Sequence, residues 1–119
     1  MIWVKRVYEP AVAADGRRFL VDHLWPRGLK KQSVEVEGWL KQVAPSDALR
    51  KWFRHDPARW EGFRRRYEEE LEGNAEAWQP LLEAARKGHL TLVFAARDVE
   101  RNNAVVLKGY LEKRLKEGQ

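Results

Sequence analysis

The stretch "HLTLVFAA", residues 89–96, most constrains what this chain can fold into. It is an almost wholly apolar run set between Gly88 and the charged pair Arg97-Asp98. A run this short and this apolar suits a β-strand buried on both faces, as strands of parallel sheets are. It is far below the roughly 18 residues of a membrane span. It also follows a long stretch of helical patterning, and a parallel crossover requires such an excursion. The run therefore predicts an α/β fold.

Two more strands are expected ahead of it. Ile2 to Tyr8 alternates loosely and is rich in β-branched and aromatic residues, and Pro10 and Asp15-Gly16 follow as turn signals. Arg18 to Trp25 reads as a second strand, broken by Pro26 and Gly28. The connection between these two is too short for a crossover helix, so the first strand can pair in either direction. The remainder reads as helices. Val36, Trp39, Leu40 and Val43 fall at helical spacing behind Ser33, a candidate N-cap, and Ser46 suits the cap of a short helix burying Leu49, Trp52 and Phe53. Asp56-Pro57 is a start signal for a helix carrying Trp60, Phe63, Tyr67 and Leu71. Another helix follows Asn74 and ends at Gly88, with Pro80 kinking it or starting its main part. The last is expected from about Val99 to Lys116. The expectation is a single α/β domain over residues 1–119, with a mostly parallel sheet of three or four strands flanked by about five helices.

Charge narrows the function classes. The net charge is +5, and residues 1–55 hold all of the excess, with 11 Lys/Arg against 6 Asp/Glu, while residues 56–119 hold 12 of each. Such asymmetry implies an anionic partner, set against a chance scatter of surface lysines. There is no cysteine, which excludes disulfides, thiolate metal sites and cysteine nucleophiles. The three histidines, 23, 55 and 89, lack ligand spacing, so neither a metal nor another cofactor is expected. The N-terminus lacks the apolar core and cleavage site of a signal peptide, and the expected compartment is the cytoplasm, without membrane association.

If the second and third strands are parallel, their carboxyl ends share one edge, where ligands of open α/β sheets bind. One end delivers Asp22, His23, Trp25, Arg27, Lys30 and Lys31; the other delivers Arg97 and Asp98, then Arg101, Asn102 and Asn103. Arg27 and Arg97 can each fork onto a phosphate or carboxylate, and the amides at the start of the last helix attract an anion. Asp22, Asp98 or His23 are the candidates for acid–base work, and the asparagines suit base or sugar recognition. Structural roles compete at each position. Asp98 is a candidate cap of the last helix, Asp22 a candidate ion-pair partner of Arg27 or Arg97, and Trp25-Pro26 a plug at the core edge. His23, among bulky apolar neighbours, is a candidate interior histidine. Ser33 and Ser46, the only serines, read as caps rather than nucleophiles.

The segments "KRVYEP", "DGRRFLVDHLWPRGLKK", "WLKQVAPSDALRKWF", "HDPARWEGFRRRY" and "LTLVFAARDVERNNAVVLKGYLE" together resemble the YeaO-like branch of the bacterial DUF488 family, over nearly the whole chain. The resemblance implies a small cytoplasmic α/β protein and marks Asp22, Trp25, Pro26, Arg27, Gly28, Arg97, Asp98 and Asn102 as positions of interest. The family pattern has arginine after the aspartate of LVD, where this chain has His23. More distant relatives carry a cysteine and a Cys-His pair where Phe94, Asn102 and Asn103 stand, so thiol chemistry of that kind is absent here.

Three functions are compatible with these features. One is a site for a phosphorylated or nucleotide-like small anion, with or without catalysis. The second is nucleic-acid binding, resting on the basic half with Trp25 beside Arg27, Lys30 and Lys31. The third is an interaction module or homodimer, since six tryptophans in 119 residues exceed the needs of a small core.

Overall fold

The computed structural model describes residues 1–118. The apolar run becomes the second strand of a four-stranded, wholly parallel sheet in the order β1-β4-β2-β3, formed by β1 (Ile2–Arg6), β2 (Arg17–Leu20), β3 (Gly38–Trp39) and β4 (Leu90–Phe94). All five residues of β4 are buried, as its composition predicts. Its neighbours fix its register, Ile2 opposite Leu90 on one side and Phe19 opposite Leu92 on the other. The first strand's direction is thereby settled as parallel to β4, and the chain returns to β2 through a short 3-10 helix at Ala13–Asp15, with no α-helix between them.

The two faces of the sheet are covered differently. Phe19, Val21, Leu90, Leu92 and Phe94 pack with the apolar sides of α1 (Asp47–Phe53), α2 (Trp60–Glu72), α3 (Ala75–Lys87) and α4 (Asn103–Glu117). Leu20 and Val93 point the other way, into a smaller cluster with Trp39 of β3 and with Val7, Trp25, Leu29, Val34 and Val36 supplied by loops. Asp15 anchors the loop side at the amino edge of the sheet. It accepts from Lys5 and Arg18 at 3.1 and 2.6 Å and from the Val12 amide, while its own carbonyl takes the Thr91 hydroxyl.

Several expected elements change. There are four α-helices rather than about five, because residues 36–43 form no helix; they form β3 and a 3-10 turn at Lys41–Val43. The second strand ends at Leu20 instead of reaching Trp25. The last helix begins at Asn103, not near Val99, and Asn102 is its N-cap, accepting from the Val105 amide. Ser46 caps α1 and Asp56 the turn ahead of α2, as their sequence signals predict. Helix α3 runs unbroken across Pro80. Among the described residues no helix is long and apolar enough to cross a membrane.

Candidate functional site

The carboxyl ends of β2 and β4 open into a cleft of about 790 Å³. That volume falls within the range of small-molecule sites. One wall grows from the chain leaving β2. Val21 still donates to the Val93 carbonyl at 3.1 Å, but the Val21 and Asp22 carbonyls then accept from the side chains of Asn103 and Trp39, which draws the backbone out of the ladder. Trp25 packs edge-to-face on Trp39, with centroids 5.3 Å apart, and donates its indole N–H to the Leu29 carbonyl. Between them, Pro26 to Leu29 turns tightly, with Gly28 at φ +82°, a conformation open to glycine at the third position of a type II turn. The Tyr8 hydroxyl fastens this turn by donating to the Arg27 carbonyl at 3.0 Å. Trp25 and Pro26 thus shape the loop, and Arg27 stands exposed at its tip.

The second wall follows β4. Asp98 accepts from the amides of Glu100 and Arg101 at 2.9 and 3.0 Å, and these bonds hold its carboxyl below the usual carboxylate range. It caps this turn, one turn of chain ahead of the helix it was expected to cap. Asn102 is buried, and both ends of its amide are taken, by the Val105 amide and the Asp98 carbonyl. Arg97 remains exposed. Neither Arg27 nor Arg97 forms an ion pair among the described residues, with each other's wall or with Asp22.

Asp22 lies between the walls. Its two oxygens accept separately, from the Ala95 amide at 2.9 Å and from Asn103 Nδ2 at 3.2 Å. Burial raises its pKa, against the pull of those two bonds and of His55 and Arg50. His23, by contrast, is no interior histidine: it is exposed on the rim, with its Nε2 3.7 Å from Asp47.

A third wall is absent from the sequence reading. Helix α1 and the residues flanking it contribute Pro45, Arg50, Lys51, Phe53 and His55, with Phe63 of α2 behind them. Arg50 pairs with Asp47 and donates to the Pro45 carbonyl, whereas Lys51 has no ion-pair partner among the described residues. Arg54 and His55 both have positive φ, +51° and +55°. Two consecutive left-handed non-glycine residues are uncommon and concentrate at functional sites. Here they end α1 and set the His55 ring 5.9 Å from Phe53 in the cleft. The left-handed pair carries no local sequence signal. Lys30 and Lys31, expected at the site, stand outside the cleft lining. Among the described residues no three His, Asp or Glu side chains converge to hold a metal.

The family model described as "Inactive DUF488-N3 subclade" matches residues 1–119. The chain is 41% identical to the uncharacterized protein YeaO of Escherichia coli K12 over 110 residues, 92% of this chain and 96% of YeaO. It is 43% identical to an uncharacterized protein of Mycobacterium tuberculosis H37Rv over 111 residues, 93% of each. No solved structure matches the chain. With a family match across all 119 residues and YeaO aligned almost end to end, the chain belongs to the DUF488 family.

Proposed function

We propose that the cleft binds a phosphorylated, nucleotide-like small molecule and holds it without converting it. One observation carries this reading: Arg27, Arg50, Lys51 and Arg97, from three remote segments, line a single concavity. Three of them lack a carboxylate partner among the described residues. Side-chain cations gathered in a cleft favour an anion there, and an arginine fork matches phosphate geometry. The position, at the carboxyl edge of a parallel sheet, is where ligands of such folds bind.

Binding without turnover has support of its own. Asp98 is held charged by backbone amides, Ser46 is taken up as a helix cap, and no cysteine is present. The family description, with its word "inactive", points the same way. A cytoplasmic setting goes with this reading, since phosphorylated metabolites are concentrated there.

A thermal-shift screen of phosphorylated metabolites and nucleotides tests it, with Arg27→Ala and Arg97→Ala alongside. A ligand present at a hundred times its Kd stabilises the fold by about 2.7 kcal/mol, on the order of 10 °C for a chain of this size. The expected result is a hit lost in both variants while each still unfolds cooperatively. No hit, with both variants merely less stable, would make the arginines structural and end the small-molecule reading.

A further inference from the structure

A carboxylate in the lining of a cationic cleft restricts what can enter. An anion alone would be drawn to Arg27 and Arg97 but repelled by Asp22, so the favoured ligand keeps its charge at the arginines and turns hydrogen-bond donors toward the carboxylate. Asp22 is prepared for this. Each of its oxygens takes one N–H from the protein, Ala95 on one and Asn103 on the other, which fixes the plane of the group. Each oxygen retains acceptor capacity for a second donor, and the residue lines the cleft. Two adjacent, fixed acceptors match two adjacent N–H donors on one flat edge. The surroundings suit a flat ring, since Pro26, Phe53 and Phe63 supply apolar wall, and the cleft volume of about 790 Å³ leaves room for far more than a phosphate.

We infer that Asp22 is the specificity residue of the cleft and reads paired N–H donors on the base of a nucleoside monophosphate whose phosphate meets Arg27 and Arg97; this rests on the anion-binding reading above. Guanine offers such a pair on its Watson–Crick edge. Adenine offers a single amino group beside an acceptor nitrogen, which would face the carboxylate with like polarity. Hypoxanthine keeps one ring N–H and lacks the amino group.

Titration calorimetry of the full chain with GMP, IMP, AMP, ribose 5-phosphate and inorganic phosphate tests the assignment, using wild type, Asp22→Asn and Arg27→Ala. Hydrogen bonds to a charged acceptor predict GMP binding about ten- to a hundred-fold tighter than AMP, with IMP between them. In Asp22→Asn the GMP margin should collapse, while ribose 5-phosphate binds as well as before or better, the repelling charge having gone. A GMP margin that survives Asp22→Asn overturns the inference. So does equal binding of GMP, AMP and ribose 5-phosphate, and if Arg27→Ala abolishes all three the anion reading survives that failure. If no phosphate compound binds wild type, both readings fall. Should Asp22→Asn not fold, the order GMP, IMP, AMP on wild type decides the matter, because each step deletes or inverts a donor on the ligand instead of the protein.

Discussion

At Asp22, desolvation and hydrogen bonding act in opposite directions, and desolvation prevails. The carboxyl is raised above its usual 3.8 even though Ala95, Asn103, His55 and Arg50 favour the charged form. A carboxyl with a raised pKa is more easily protonated in the folded than in the unfolded chain. Its ionisation therefore costs stability at neutral pH, and that cost is relieved as pH falls from the raised value toward the ordinary one. Asp15 behaves oppositely. Burial works against its charge, but Val12, Lys5 and Arg18 outweigh burial and lower its pKa, so its contribution is present above the ordinary value and lost as pH falls through the lowered one. The loss at Asp15 is common to wild type and Asp22→Asn, so their difference isolates Asp22. Melting both proteins from about pH 7 down to about pH 4 should show wild type gaining relative to Asp22→Asn as the solution is acidified. A difference that is flat, or that moves the other way, would mean that the facing cations outweigh burial.

Elements are placed by contacts that local patterning only partly encodes. Gly16 opens β2 with φ +66° and ψ −140°, and a Cβ there would lie 2.4 Å from the His89 carbonyl oxygen, the same oxygen that accepts from Arg17. Neither the backbone conformation nor the clash can be relieved without parting β2 from β4. Gly16→Ala should therefore cost about 2–4 kcal/mol. Gly88, extended and with nothing near its missing Cβ, serves as the control, and Gly88→Ala should stay within about 0.5 kcal/mol. Urea midpoints at unchanged m-value would measure both. The buried strand β4, the caps Ser46 and Asp56, and helices α2 and α3 were legible because each depends on near neighbours in sequence. The false helix at residues 36–43 shows where such reading stops. Val36 and Trp39 pack into the loop-side cluster, whereas Leu40 and Val43 pack against the helical core. The segment crosses the sheet edge and serves two cores, and its apolar spacing imitates the single stripe of a helix. The same boundary divides the site. Asp22, Arg27, Arg97 and Asp98 were visible as polar residues following apolar strands. Arg50, Lys51 and His55 were not, since only the packing of α1 brings them to that edge.

For the whole molecule, the question is whether its surplus positive charge serves a polymer or a small ligand. Lys5 and Arg18 share Asp15, Arg17 pairs with Glu37 and Arg50 with Asp47, so much of the basic half is internally paired. Of the Trp, Tyr and Phe side chains among the described residues only Trp3 and Tyr8 are exposed, a small aromatic surface on which bases of a nucleic acid could stack. Arg27, Lys51 and Arg97, without ion-pair partners among the described residues, line one concavity, and the body is only 22 Å in its thinnest extent. A mononucleotide can enter such a cleft, whereas a duplex would reach it with few phosphates at a time. Each phosphate neutralised adds about −0.9 to the slope of log affinity against log salt, so a true nucleic-acid face betrays itself by a steep slope. Duplex DNA titrated at physiological salt should therefore bind no tighter than about 10⁻⁴ M, the weak end of non-specific association, and should fail to displace a bound nucleotide. A micromolar duplex that competes with the nucleotide, with a slope of about −3 or steeper that flattens in Arg27→Ala and Arg97→Ala, would instead make the cleft one stop on a phosphate-backbone path.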